Sequence, residues 1–298
     1  MKTKFFLLAS VATGLLSASA QERPRVGDGT SGMSDLFSHR RINIYEGVTM
    51  PNTVGTQHYD SIARNRIWRA EQPRLYAYVP RLEERNCKAV IVIPGGGYIK
   101  QAYETAGVSF AKWLNTFGVT AFVLLHRLPN QPDVEDATIV PFQDAQRAVR
   151  WVCAHAAEYG IDPEQLGVIG CSAGGHVCAG VSTITKDLSA CGDSLDRQPF
   201  RPNFCIFVSP VISVYDYQGQ HPRIAEIMEK TKFDEMVTKD NPPTLLIHAA
   251  DDRTVNVSNS VKYFTALQQA GVKNCSLHIF PFGGHSISLK CQPGSTAL

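Results

Sequence analysis

The sequence predicts an α/β fold, a mainly parallel central sheet with helices on both faces. Short β-rich runs alternate with longer stretches of helical periodicity from about residue 75 to residue 280. Several runs are continuously apolar, the pattern of strands covered on both faces: AVIVI at 89–93, TAFVLLH at 120–126 and LGVIG at 166–170. Size and composition agree: 298 residues, 44% hydrophobic and 19% charged, suit one large globular α/β domain and argue against a disordered, collagenous or coiled-coil chain.

The elements follow in order. Residues 1–20, MKTKFFLLASVATGLLSASA, have the form of an export signal: Lys2 and Lys4, a short apolar run from Phe5 to Leu16, then Ala18-Ser19-Ala20 as a cleavage pattern. Residues 21–38 are a polar lead-in. Gly27, Gly29 and Gly32 match G-x-G-x-x-G, but no strand precedes them and no helix follows, so the phosphate-cradling geometry is missing. Residues 39–298 make a single domain. Strands are expected at 75–79, 89–93, 120–126, 166–170, 204–209, 244–249 and 276–280, and helices at about 103–117, 142–159, 174–185 and 258–270. In 142–159, Phe142, Ala145, Ala148, Val149, Val152 and Ala156 form an apolar stripe, with Arg147, Arg150 and Glu158 off it. The polar stretch 211–243, with a short helix-like piece at 222–230, reads as a lid-like insertion.

The formal charge of +2 dictates no basic surface and disfavours a nucleic-acid partner. Past residue 20 no run is long and apolar enough to span a membrane. Among the eight cysteines, Cys87, Cys191 and Cys291 sit in loop-like stretches that suit bridges, whereas Cys153, Cys171, Cys205 and Cys275 lie in apolar segments. No His, Cys or Asp cluster has the spacing of a metal site, so none is expected.

Four motifs carry chemistry. Gly170-Cys171-Ser172-Ala173-Gly174 is a G-x-S-x-G between a strand and a helix, the setting in which a serine is presented as a nucleophile on a sharp turn. Pro94-Gly95-Gly96-Gly97-Tyr98 follows the strand AVIVI; the N–H groups of Gly96 and Gly97, with that of Ala173, are placed to hold an oxyanion. Asp252, in TLLIHAADDRTV just after the strand end, is a candidate to orient an imidazole; the adjacent Asp251 competes with it, and the D-x-x-V placement favours Asp252. His285, in PFGGHS after the last strand, is the candidate general base. His176 is too near Ser172 in sequence to serve it, while His126 and His248 lie in or beside apolar strands and read as structural. Trp68, Tyr98, Tyr215 and Tyr217 suit a sugar subsite and ordinary core or lid packing equally, and only Tyr98, beside the oxyanion glycines, is kept as a weaker candidate for substrate contact.

The order Ser172, Asp252, His285 is that of the α/β-hydrolases. IPGGGY, AFVLLHRLP, PFQDAQRAVRWV, GVIGCSAGGH, PPTLLIHAADD and FGGH, spread from about residue 89 to 285, resemble the α/β-hydrolase carbohydrate esterases, secreted bacterial acetylxylan or pectin acetylesterase-like proteins related to feruloyl esterases. The resemblance implies the α/β-hydrolase fold, Ser172 as nucleophile, His285 as base, Asp252 as its orienter and Gly96, Gly97 and Ala173 as oxyanion donors. Two departures stand out. Pro94 opens the oxyanion loop where many relatives carry His, and where relatives continue into a closing helix after the His, this chain has SISLKCQPGSTAL.

The expected activity is that of an exported serine esterase, periplasmic or extracellular. It would remove short acyl groups, acetyl foremost, from plant polysaccharide or oligosaccharide, without metal or cofactor. A feruloyl or lipid-type esterase and a prolyl-oligopeptidase-like peptidase share the same triad; a non-catalytic binding protein on this scaffold is the reading of another class.

Overall fold

The structure is a computed structural model that describes residues 41–55, 60–63, 66–70, 72–213 and 221–285. The export signal, the polar lead-in, Tyr215, Tyr217 and the segment after His285 lie outside the described residues.

An eight-stranded sheet organises the chain. Its strands are β1 (Arg41–Asn43), β4 (Arg74–Tyr78), β5 (Ala89–Ile93), β6 (Thr120–Leu125), β7 (Leu166–Cys171), β8 (Phe204–Val208), β9 (Thr244–Ala249) and β10 (Ser276–Phe280), in the order β1-β4-β6-β5-β7-β8-β9-β10. From β6 to β10 neighbours run parallel; β4 against β6 and β1 against β4 are antiparallel. A separate antiparallel pair, β2 (Ser61–Ala63) and β3 (Arg66–Arg69), is tied to the main body by Ile67 and Gln101, which exchange backbone hydrogen bonds of 3.1 and 2.7 Å.

The continuously apolar runs became the centre of this sheet because both their faces are covered. Every residue of β5, β6 and β7 is buried. On one face Ile91, Ile93, Phe122 and Leu124 join a core with α2 (Val140–Ala154), α3 (Ala156–Tyr159), α4 (Ala173–Thr183) and α6 (Ser258–Gln269). The alternate residues Val90, Val92 and Val123 point to the opposite face. There a π-helical turn, Tyr103–Val108, leads into α1 (Ser109–Asn115), which buries Phe110, Ala111 and Leu114 and packs on β6.

The α2 helix departs from the amphipathic reading. Arg147 and Arg150, off the apolar stripe, are buried. The loop after α4 covers them and supplies their counter-charges: Arg147 pairs with Asp193 at 2.5 Å and Arg150 with Asp187 at 2.8 Å. On the other flank, Arg127 and Asp144 form a buried pair at 2.6 Å to which Tyr45 adds a hydrogen bond. A helix buried all round keeps charges only where each finds a partner.

The insertion carries α5 (Pro222–Lys230), with Ile224, Ile227 and Met228 buried. Phe233, just beyond it, packs edge-on to Phe142 with ring centroids 5.4 Å apart, which fixes this segment to α2. Residues 214–220 of the insertion lie outside the described residues. Among the seven described cysteines, Cys87 is exposed, Cys171, Cys178 and Cys205 are buried, and Cys153, Cys191 and Cys275 are half-buried.

Candidate active site

Ser172 occupies the single residue between β7 and α4, at φ +56° and ψ −123°. A non-glycine residue at positive φ is strained by roughly 1–3 kcal/mol and persists only where its surroundings hold it. Here Ser172 N–H donates to Val208 O at 3.2 Å, and Ser172 O accepts from Gly175 N at 2.9 Å and from Val211 N at 3.0 Å. The turn also requires backbones to approach closely. A Cβ on Gly174 would stand 2.1 Å from Ile93 O, and one on Gly170 would stand 2.3 Å from Gly174 O. That is the physical content of the two glycines of G-x-S-x-G.

His285 Nε2 lies 3.0 Å from Ser172 Oγ, and His285 Nδ1 lies 2.8 Å from Asp252 Oδ2. A carboxylate only accepts, so Nδ1 carries the hydrogen and Nε2 is left to accept from the serine hydroxyl. Asp252 sits in the turn after β9 and is 6% exposed. Its Oδ1 accepts from Thr254 N and Val255 N, both at 2.9 Å, and its Oδ2 also faces His248 Nε2 at 3.3 Å. Burial pushes the Asp252 pKa up, but hydrogen bonds from His248, His285 and Val255 N–H outweigh it and hold the carboxyl well below the usual carboxylate range. The adjacent acid does something else: Asp251 Oδ1 accepts from Gly284 N at 2.8 Å and pins the loop that carries His285.

The glycine loop after β5 faces the same serine. Gly95, Gly96, Gly97, Ser172, Ala173 and His285 line one cleft of about 460 Å³. Gly96 has φ +145°, and a Cβ there would fall 2.0 Å from Lys100 O, so the loop admits no side chain at this position. Its shape is kept by hydrogen bonds from Lys100 N to Gly96 O at 3.3 Å and from Ala102 N to Gly95 O at 2.7 Å. Ala173 is the first residue of α4, whose opening N–H groups have no acceptor inside the helix and lie at the positive end of its dipole. The cleft therefore joins a serine, an imidazole and a set of backbone donors at a helix N-terminus, the parts acyl transfer needs. Apolar walls come from Phe110, Val211, Met228 and Val255; Arg66 and Lys100 add positive charge.

Tyr98 corrects the sequence reading. It is 1% exposed and absent from the cleft wall. At φ +60° its side chain turns inward, where its hydroxyl lies 2.8 Å from His176 Nδ1. His176 Nε2 in turn lies 3.1 Å from Thr231 O, which binds α4 to the segment after α5. Burial pushes the His176 pKa down to about 4, against the lesser opposing effect of Thr231 O. His126 is likewise buried, with Nδ1 2.8 Å from Arg127 O.

Sequence reasoning read His248 as a structural residue of an apolar strand and missed its contact with Asp252. The i, i+4 spacing of a histidine at a strand end and the acid in the following turn was the available signal. Met228 and Phe110 as cleft walls had no local signature.

Residues 75–216 match the BD-FAE family. An acetylxylan esterase of Xylanibacter ruminicola is 32% identical over 216 residues, 68% of this chain and 42% of that one. Endo-1,4-beta-xylanase B of Butyrivibrio fibrisolvens is 30% identical over 229 residues, 73% of this chain and 35% of that protein. This chain thus spans less than half the length of either relative. Among solved structures, an acetyl ester-xyloside bifunctional hydrolase from Caldicellulosiruptor lactoaceticus superposes with a TM-score of 0.63 at 29% identity, covering 83% of this chain and 88% of its own.

Proposed function

The chain belongs to the α/β-hydrolase family of esterases, and from that premise we propose that it is an exported serine esterase that removes short acyl groups, foremost acetyl, from plant polysaccharide or its oligosaccharides. The observation that carries this reading is the hydrogen-bonded line Asp252–His285–Ser172 opening onto a cleft walled by the glycine loop. The two relatives' names, an acetylxylan esterase and a xylanase, support the polysaccharide. The signal pattern of residues 1–20 supports export.

In this mechanism His285 Nε2 takes the Ser172 proton as Oγ attacks the ester carbonyl carbon. Asp252, held ionised, stabilises the imidazolium and fixes its tautomer. The N–H groups of Gly96, Gly97 and Ala173 receive the negative oxygen of the tetrahedral intermediate; loss of one such donor typically costs about 10²–10³ in rate. Collapse expels the sugar oxygen, which takes the proton from His285 Nε2. Water, deprotonated by the same imidazole, then attacks the acyl-serine, releasing acetate and restoring Ser172. The cleft is walled by apolar side chains beside the serine, which suits a short acyl chain better than a charged one.

The test is release of acetate from acetylated xylan and acetylated pectin by the wild type and by Ser172→Ala, with circular dichroism on both and feruloyl and peptide substrates in parallel. Release by the wild type and none by the variant is expected. Equal release by the two sinks the serine mechanism, and preference for a feruloyl or peptide substrate sinks the acetyl assignment.

A further inference from the structure

A second hollow of about 130 Å³ lies on the β2–β3 hairpin, lined by Ser61, Trp68, Arg69, Asn130, Gln131 and Pro132. It shares no lining residue with the cleft of Ser172, yet it stands beside it. The Trp68 ring walls the hollow, and Lys100, a cleft residue, sets its ammonium 4.8 Å from the centre of that ring. Trp68 is 38% exposed. A tryptophan in a strand of this size buries its ring where a core is available; this one stands at the partition between two depressions.

The polar residues of the hollow are the second observation. Arg69 Nε and Asn130 Oδ1 are buried and have no hydrogen-bond partner among the described residues. Such atoms are uncommon because each costs on the order of 1–3 kcal/mol. One is a donor and the other an acceptor, and both belong to residues that line the same hollow. Their backing is rigid: Gln131 Oε1 accepts from Leu128 N at 2.9 Å, and Gln131 Nε2 donates to Ala70 O at 3.1 Å.

We propose that this hollow is a pyranose-binding subsite that holds the glycan chain beside the catalytic cleft, a reading that rests on the esterase assignment above. A pyranose offers an apolar C–H face and a rim of hydroxyls that both donate and accept. The face stacks on the Trp68 ring, and the hydroxyl rim meets the polar residues that line the hollow, Ser61, Arg69, Asn130 and Gln131, whose side chains both donate and accept. The link from Ile67 to Gln101 anchors the hairpin to the glycine loop, so the subsite keeps a set distance from the reacting serine.

The experiment is calorimetric titration of the folded full chain with unacetylated xylo-, cello- and galacturono-oligosaccharides, for the wild type, Trp68→Ala, Trp68→Phe and Asn130→Leu. Kinetics on an acetylated oligosaccharide accompany it. One oligosaccharide is expected to bind the wild type, with affinity reduced about tenfold in Trp68→Ala and in Asn130→Leu and largely kept in Trp68→Phe. In Trp68→Ala the loss is expected in KM, with kcat within about twofold. Failure of all three sugars to bind overturns the subsite, as does binding indifferent to Trp68→Ala and Asn130→Leu. Sugar binding without acetate release leaves the subsite standing and removes the esterase reading; acetate release with binding indifferent to the substitutions does the reverse.

Discussion

His248 Nε2 lies 3.3 Å from Asp252 Oδ2, the oxygen that His285 Nδ1 reaches at 2.8 Å. His248 is itself held, with Nδ1 2.8 Å from Ser260 Oγ and Nε2 3.0 Å from Val255 O. Both imidazoles thus meet one carboxylate oxygen while Thr254 N and Val255 N hold the other, and the neighbouring Asp251 is engaged elsewhere on Gly284 N. Two adjacent acids have divided roles, and substitution separates them. Asp252→Asn is expected to lower kcat on the order of 10³–10⁴ by disfavouring the productive imidazole tautomer. Asp251→Asn keeps an acceptor for Gly284 N–H and is expected to cost less than about tenfold. Steady-state kinetics on an aryl acetate decide it: a larger loss in Asp251→Asn would falsify the assignment of Asp252 as the triad acid.

His176 makes stability depend on pH. It is fully buried, and its pKa lies near 4, below the unfolded value of about 6.5. Between those values the unfolded chain binds the proton and the folded chain does not. Its contribution is therefore complete above about pH 6.5 and lost as pH falls toward 4, a change on the order of 3 kcal/mol. His126, also buried with a lowered pKa, adds to the same slope. His176→Gln keeps polar ends for Tyr98 and Thr231 and removes the titration. The difference in Tm between wild type and variant is expected to shrink steadily from pH 7 to pH 4. A difference that stays constant over that range would remove His176 from the account.

The backbone strain at Ser172 predicts an unforgiving site at Gly174. Gly174→Ala places a methyl group 2.1 Å from Ile93 O, a backbone atom of a central strand that has no room to move. The cost is expected to exceed about 2 kcal/mol, with activity lost beyond what unfolding explains because the glycine loop that follows Ile93 is displaced. Gly160→Ala is the comparison: Gly160 carries positive φ, at 64°, as Gly174 does not, and its Cβ meets nothing within 4 Å. Thermal melts and kcat for both variants test the distinction. A loss in Gly174→Ala no larger than that in Gly160→Ala would mean that the close approach to Ile93 O is relieved and does not set the cost.

The parallel strands were legible because burial on both faces writes itself as an uninterrupted apolar run, as in AVIVI and TAFVLL. β1, RIN, and the β2–β3 pair carry no such run, being three or four residues long with charged or half-exposed positions. The helix α2 is legible in its apolar stripe, but the burial of Arg147 and Arg150 is not, because the acids that pair with them lie about forty residues on. At the site, Ser172, Asp252 and His285 stand in local motifs. His248 and Met228 depend on which segments meet in space, and Tyr98 on the direction its backbone imposes at φ +60°.

Met228 is expected to set a size limit on the acyl group. It is 4% exposed on α5 and forms part of the wall of the cleft, so the insertion reaches the reacting centre through this side chain. Met228→Ala opens space beside the serine without touching the hydrogen-bonded line from Asp252. Butyryl exceeds acetyl by two methylenes, each worth about 0.8 kcal/mol when buried. Accommodating both is therefore worth about 1.6 kcal/mol, or roughly tenfold in relative kcat/KM. The variant is expected to raise the butyrate-to-acetate ratio on 4-nitrophenyl esters by about that factor, at a stability cost of about 2–5 kcal/mol. A ratio unchanged in a folded variant would mean that the acyl chain lies along another part of the cleft, with Phe110 the next wall residue to test, and Phe110→Leu would then produce the shift instead.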